Sequence, residues 1–273
     1  MLCFPNAKIN LGLNIIEKRQ DNFHNIETVF YPIPLSDILE IIGNENFSGP
    51  KSELIVTGKD IPGGKESNLC TKAYELLDKD FDLPPVKIYL HKIIPMGAGL
   101  GGGSSDGAYT LTILNKQFEL GLSTLQLAEY AAQLGSDCAF FIENKPAYGT
   151  EKGNVLKKLL INLAGNYLVL VKPSVFVGTA EAYAGVQPTK PEIPVNQLIS
   201  LPLKQWKNQI VNDFEKSLFK KHPEIEAIKD SLYKQGAAYA SMTGSGSAVF
   251  GIFEQEVNLK NSFEGMFYWG GKL

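Results

Sequence analysis

The chain has 273 residues, of which 44% are hydrophobic, 20% charged and 10% aromatic. That balance excludes wholesale disorder and collagen-like repeats, and the length supports one large domain or two smaller ones, burying roughly 70–75% of the unfolded surface. A formal net charge of -3 and a pI of 5.7 argue against a general nucleic-acid binder, which is normally basic. Arg19 is the only arginine. An anionic ligand must therefore be held mainly by backbone N–H groups and lysines, because the bidentate guanidinium fork is almost absent.

The start of the chain reaches Lys8 before an apolar signal core forms, and no run of about 18 apolar residues announces a membrane helix. Cys3, Cys70 and Cys138 are odd in number and lack C-x-x-C spacing. Free thiols, a cytoplasmic location and no membrane partner are expected.

Residues 7–15 alternate apolar odd positions with Lys8, Asn10, Gly12 and Asn14. This period of two predicts a strand with one core face and one polar, solvated face, and it puts Lys8 and Asn10 on the same side. Further short strands are expected at Ile26–Tyr31, Ile38–Ile42, Glu53–Thr57 and Val86–Leu90, separated by Gly, Pro and Asn clusters that predict antiparallel connections. Helical patterns cover 67–79, with Ser67 as N-cap, 104–116, and 123–134, with Ser123 as N-cap and Gly135 as stop. A strand at Tyr167–Val171, a helix from Pro223 to Gly236 and a buried strand up to Phe253 complete the pattern. The aromatic tail Phe267-Tyr268-Trp269 would cap the core or meet a partner. Strands and helices mix without a regular alternation, so the expected class is α+β, with a domain boundary near 155–165.

The most informative segment is Pro95-Met96-Gly97-Ala98-Gly99-Leu100-Gly101-Gly102-Gly103-Ser104-Ser105, followed by Asp106. Glycines let the backbone turn tightly and approach a ligand, and the helix that follows offers unpaired N–H groups to a phosphate. A glycine-rich structural turn is the plain alternative. A Walker A loop is excluded because no lysine precedes Ser104. Gly97, Gly99 and Gly102 spell the dinucleotide fingerprint, yet the preceding strand alternates and no ribose carboxylate follows a second apolar strand, which leaves a nicotinamide oxidoreductase a weak alternative. Gly103-Ser104-Ser105-Asp106-Gly107 fits the hydrolase nucleophile elbow, with only His222 late in the chain as its base.

Pro95–Ser105 resembles the glycine-serine phosphate loop of the GHMP small-molecule kinases. Pro5–Leu11 is similar to the first block of that family and Met242–Phe250 to its third. Asn22-Phe23-His24, Leu134–Cys138 and Asn212-Asp213-Phe214-Glu215 extend the likeness to members whose substrate carries a cytidine diphosphate group. Taken in order along the chain, these blocks carry the likeness from residue 5 to about 253. Ala98 stands where glycine is common, Gly107 where alanine is common, and Phe23 where tyrosine is usual.

The resemblance implies a two-domain GHMP-kinase-like architecture. Residues 1–157 would form an N-terminal phosphate-loop domain, and residues 158–273 a C-terminal α/β-sandwich domain completing the substrate cleft. It implies ATP as co-substrate, with Mg²⁺, and phosphoryl transfer to the tertiary 2-hydroxyl of a methylerythritol unit in isoprenoid precursor synthesis; a mevalonate- or homoserine-type alcohol, or a non-catalytic nucleotide sensor, are the alternatives. Asp137 would be the base and Lys8 its catalytic partner, orienting it and offsetting phosphoryl charge. Read without the resemblance, Asp137 is a turn aspartate and Lys8 a solvated lysine. The loop 95–105 would bind ATP phosphates, with Ser104 or Ser105 as magnesium ligands, and Asn68 and Lys92 would lie near adenine. Asn10 would bond substrate hydroxyls, His24 the cytosine edge, and Phe23 and Tyr183 would sandwich the base. Thr243, Gly244, Ser245 and Gly246 would pack against the phosphate loop.

Overall fold

The computed structural model describes residues 1–44, 49–60 and 67–273. In chain order the elements are β1 (Leu2–Cys3), β2 (Asn6–Lys18), β3 (His24–Ser36), β4 (Ile38–Gly43), β5 (Ser52–Gly58), α1 (Leu69–Phe81), β6 (Val86–Lys92), α2 (Gly102–Gln117), α3 (Thr124–Leu134) and α4 (Cys138–Glu143). There follow β7 (Ala147–Thr150), β8 (Val155–Lys158), β9 (Tyr167–Lys172), α5 (Thr179–Ala184), α6 (Val195–Leu198), α7 (Glu215–Lys221), α8 (Pro223–Lys234), β10 (Tyr239–Met242), β11 (Val249–Phe253) and β12 (Phe267–Lys272). Among the described residues, no helix is long and apolar enough to cross a membrane.

Two compact units emerge. The first gathers Met1–Ala7, Leu35–Met96 and Gly101–Asn144; the second gathers Lys8–Pro34, Gly97–Leu100 and Lys145–Leu273. In the first, a sheet of order β1-β4-β6-β5 carries α1 to α4. Val86, Ile88 and Leu90 of β6 alternate inward against Leu77, Leu111 and Leu114 of the helices. β5 and β6 run parallel, joined through α1, where the turn-rich sequence predicts antiparallel neighbours. A parallel pair needs a crossover, and α1 provides it. Asn68, one residue later than the predicted Ser67, caps α1 because its Oδ1 reaches the N–H of Cys70 at 2.9 Å. Ser123 caps α3 as expected, in a reciprocal box with Gln126.

The second unit holds two sheets, β2-β3-β7-β8 and β10-β11-β9-β12. Its core joins Val169 and Val171 of β9, Val249 of β11, and Leu218, Ile225, Ile228 and Leu232 of α7 and α8. The aromatic tail is the edge strand β12, antiparallel to β9, with Tyr268 packed on that core. Over Asn6–Leu13 both faces of β2 are buried. The polar face carrying Lys8 and Asn10 is thus covered rather than solvated.

The dinucleotide fingerprint follows β6, which has one antiparallel and one parallel neighbour. Ser105, the elbow serine, is fully buried inside α2. Among the described residues, neither the doubly wound sheet nor the exposed nucleophile that those motifs require is present.

Ile88 is fully buried at the centre of the first unit. Ile88→Ala is expected to destabilise the chain by about 2–5 kcal/mol, read as a lower urea midpoint at unchanged slope.

Candidate active site

The period of two in β2 brings Lys8 and Asn10 to one face, and their side chains join. Lys8 is 2% exposed; its Nζ donates to Asn10 Oδ1 at 2.7 Å and to the Gly99 carbonyl at 3.0 Å. The ammonium also stands 5.2 Å from the Phe30 ring centroid. Asn10 Nδ2 donates to Thr28 Oγ1 at 2.9 Å, and the Thr28 hydroxyl donates to Gly12 O at 2.6 Å. The Thr243 hydroxyl accepts the Asn10 N–H at 3.0 Å and lies 3.1 Å from Gly99 O. Asn10, expected at substrate hydroxyls, is 2% exposed and braces the lysine instead.

Gly97, Gly99 and Gly101 take left-handed backbone conformations at alternate positions, the arrangement in which successive N–H groups form an anion-binding nest. Ala98 and Leu100 turn their side chains inward, at 2% and 1% exposure. The third block is the turn of the β10–β11 hairpin, closed by Thr243 N–H to Ala248 O at 3.0 Å. Loop and turn interlock backbone to backbone. A Cβ on Gly99 would lie 1.9 Å from Thr243 O, and one on Gly246 would lie 2.2 Å from the Ala98 carbonyl carbon. Only glycine permits either approach. Ser245 reaches outward, its hydroxyl 3.5 Å from Thr179 Oγ1.

In the first unit, Pro95 and Met96 lead half-buried out of β6. Gly101 caps α2 in a left-handed conformation with no side-chain acceptor, so the first amides of Gly102, Gly103 and Ser104 face outward at the positive end of the helix. Beneath them lies a buried charge cluster that sequence reasoning missed. Lys92 Nζ binds Asp37 Oδ2 and, at 2.7 Å, Asp106 Oδ2, with all three side chains at 4% exposure or less. Asp37 Oδ1 also accepts from Ile93 and Ile94 N–H at 2.5 and 2.9 Å. Lys92, expected near adenine, has its ammonium enclosed by these carboxylates, because desolvation forbids leaving a buried charge unpaired. Burial lowers its pKa, but Asp106 and Asp37 outweigh that and hold it above the ordinary value. Burial drives the Asp106 carboxyl up to about 7 against the pull of Lys92. Its second oxygen, Oδ1, has no hydrogen-bond partner among the described residues. One proton shared into the cluster therefore cancels its excess negative charge.

Asp137 is half-buried in the turn between Gly135, the stop of α3, and the first residue of α4. Ser104 hydrogen-bonds the buried Cys138 thiol, whose pKa burial pushes to about 11. Asn68 is half-buried at the cap of α1.

Of the residues expected at cytosine, His24 stacks on Tyr183 at 4.7 Å and 23°. Tyr183 in turn meets Phe214 edge-on at 4.9 Å. Phe23 is 56% exposed, with Lys152 Nζ 4.9 Å from its ring. Phe23 lies just before β3, whose first residue is His24. Burial, aided by Lys18, holds His24 below its ordinary pKa. A neutral imidazole can both donate and accept across a base edge.

Comparison with known proteins was made against this geometry. The GHMP kinases N-terminal domain matches residues 68–145, and the GHMP kinases C-terminal domain matches residues 200–266. A 4-diphosphocytidyl-2-C-methyl-D-erythritol kinase of Bacteroides fragilis is 54% identical over all of both chains. One from Cytophaga hutchinsonii is 51% identical over 93% of this chain and 92% of its own. A solved 4-(cytidine 5'-diphospho)-2C-methyl-D-erythritol kinase superimposes with a TM-score of 0.77 and 30% identity, covering 92% of this chain and 90% of the other.

The charge cluster generates a pH test. Asp106 has a folded pKa above its unfolded value, so its contribution to stability is full below about pH 4 and is lost as pH rises through about 7. Asp106→Asn keeps the shape without the titration. Between pH 5 and 8 the unfolding free energy of the wild type should fall more steeply than the variant's, a divergence of about 2–3 kcal/mol; parallel curves would contradict the assignment.

Proposed function

The chain belongs to the GHMP kinases, and from that premise we propose that it transfers the γ-phosphoryl group of ATP to the 2-hydroxyl of 4-diphosphocytidyl-2-C-methyl-D-erythritol. The products are the 2-phosphate and ADP, in the non-mevalonate route to isoprenoid precursors. The observation that carries this reading is the 54% identity, over the entire length of both chains, with an enzyme named for that substrate. Residues 1–157 would be the ATP-binding part and 158–273 the part completing the substrate site, with the family matches at 68–145 and 200–266 as support; the compact units instead group 8–34 and 97–100 with the C-terminal residues.

In this reading the amides of 97–104 and the positive end of α2 hold the ATP phosphates. Asn68, whose Oδ1 caps α1, would offer adenine its amide N–H. Lys92 acts through position, tying the exit of β6 to the first turns of α2. The 2-hydroxyl oxygen forms its bond to the γ-phosphorus as the bond to the ADP oxygen breaks, and Asp137 accepts the hydroxyl proton. Lys8 offsets the charge spread over the phosphoryl oxygens. Neutral His24 reads the cytosine edge, with Tyr183 and Phe23 supplying ring faces; the base must part His24 from Tyr183 or stack on the pair.

The described residues contain no cluster of three or more His, Cys, Asp or Glu able to hold a metal. Mg²⁺ takes its ligands largely from substrate phosphates and water. Ser104 would be its protein ligand, and the ion would neutralise phosphate charge. Three free cysteines accord with a reducing cytoplasm, where this reaction would run without nucleic-acid or membrane partners.

The test is ADP release over a panel of alcohols. Turnover is expected with the cytidine substrate, and activity on homoserine or mevalonate instead would overturn the assignment. Asp137→Asn should lower kcat by about 10²–10⁴-fold with the KM for ATP within a few fold; turnover near the wild-type rate would remove Asp137 as the base.

A further inference from the structure

The block Asn212-Asp213-Phe214-Glu215 has no part in the chemistry above, yet two of its side chains grip the third-block turn. Asn212 is 2% exposed, and its Nδ2 donates to Met242 O at 3.1 Å and to Gly244 O at 2.9 Å. These carbonyls precede and follow Thr243, so a single amide fixes the peptide planes around the threonine that meets Gly99. Asn212 Oδ1 accepts the Phe214 N–H at 3.1 Å. The acceptor faces an N–H and the donors face carbonyls, which sets the amide's orientation. Glu215 completes the grip, accepting from the Met242 N–H at 2.9 Å and the Ser241 hydroxyl at 3.1 Å, with Lys229 Nζ at 2.6 Å on its other oxygen. The segment is itself anchored to β2, where Leu13 N–H donates to Val211 O at 2.9 Å and Asp213 N–H to Leu13 O at 2.8 Å. The same strand carries Lys8 and Asn10.

We propose that Asn212 is a positioning residue for ATP, acting through Met242–Gly244 to hold the Gly99 backbone where the phosphate loop needs it. No other neutral side chain of this length offers a planar pair of donors beside an acceptor except glutamine, which is one carbon too long. The turn has little slack: a Cβ on Gly244 would already lie 3.2 Å from Gly99 Cα. Without the Asn212 donors two buried carbonyls lose their partners, and the turn shifts toward alternatives that satisfy them.

This assignment rests on the kinase reading, and its test separates the two. Asn212→Asp keeps the shape but aims a carboxylate oxygen at two carbonyl oxygens. At pH 8 the folded variant is expected to lose about tenfold or more in kcat/KM for ATP, with the KM for the cytidine substrate within about twofold. Protonation restores one donor, so activity relative to the wild type at the same pH should recover several fold by pH 6. A merely structural role would move both KM values together and show no recovery in a variant that is folded at both pH values; either result, or a wild-type KM for ATP, overturns the proposal. If Asn212→Asp does not fold, Asn212→Ser, which keeps one donor on a shorter arm, decides: a several-fold rise confined to the KM for ATP supports it, and unchanged kinetics overturn it. A wild type silent on the cytidine substrate would count against the kinase reading alone. ATP affinity by direct titration then serves as the readout, with the same expected loss and recovery.

Discussion

The carbonyl oxygen of Gly99 is where the second unit is most tightly constrained. It accepts from the Lys8 ammonium at 3.0 Å and lies 3.1 Å from the Thr243 hydroxyl, and both of those groups also meet Asn10. Three segments far apart in sequence thus converge on one peptide unit. Because the approach is backbone to backbone at Gly99 and Gly246, it tolerates little displacement. The nest of amides that follows from Gly97 onward inherits its geometry from this contact.

The near-absence of arginine gives this constraint its meaning. Arg19 pairs with Asp21 at 3.2 Å and with Asn25 at 2.8 Å, in a surface turn. Two lysines, Lys8 and Lys92, are buried instead. Lys92 is balanced by two carboxylates, one of which burial drives toward protonation. Lys8 donates to the Asn10 amide oxygen and to the Gly99 carbonyl.

What the sequence made legible follows from the range of the interactions involved. Strand alternation and capping are local, so β2, β6 and the Ser123 box are readable, as is the shared face of Lys8 and Asn10. That this face is buried is not readable, because its cover comes from 97–100 and 243–246. Alternation reports only that one face is polar. Asp37 escaped notice for the same reason: it lies 55 residues from Lys92, and its function is set by burial rather than by any motif. The block 212–215 was visible as a pattern, but its meaning lies in hydrogen bonds to a hairpin about 30 residues on. The stacking of His24 on Tyr183 is likewise invisible to local pattern, because it joins residues far apart in the chain.

The interlock of Ala98–Gly99 with Thr243–Gly246 is expected to set the grip on ATP. The most direct measurement is the ATP dissociation constant of Gly246→Ala, by calorimetric titration on protein whose circular dichroism is native. A methyl group placed 2.2 Å from the Ala98 carbonyl carbon must displace the loop, and a weakening of about tenfold or more is expected. A folded variant that binds ATP as tightly as the wild type would contradict the claim.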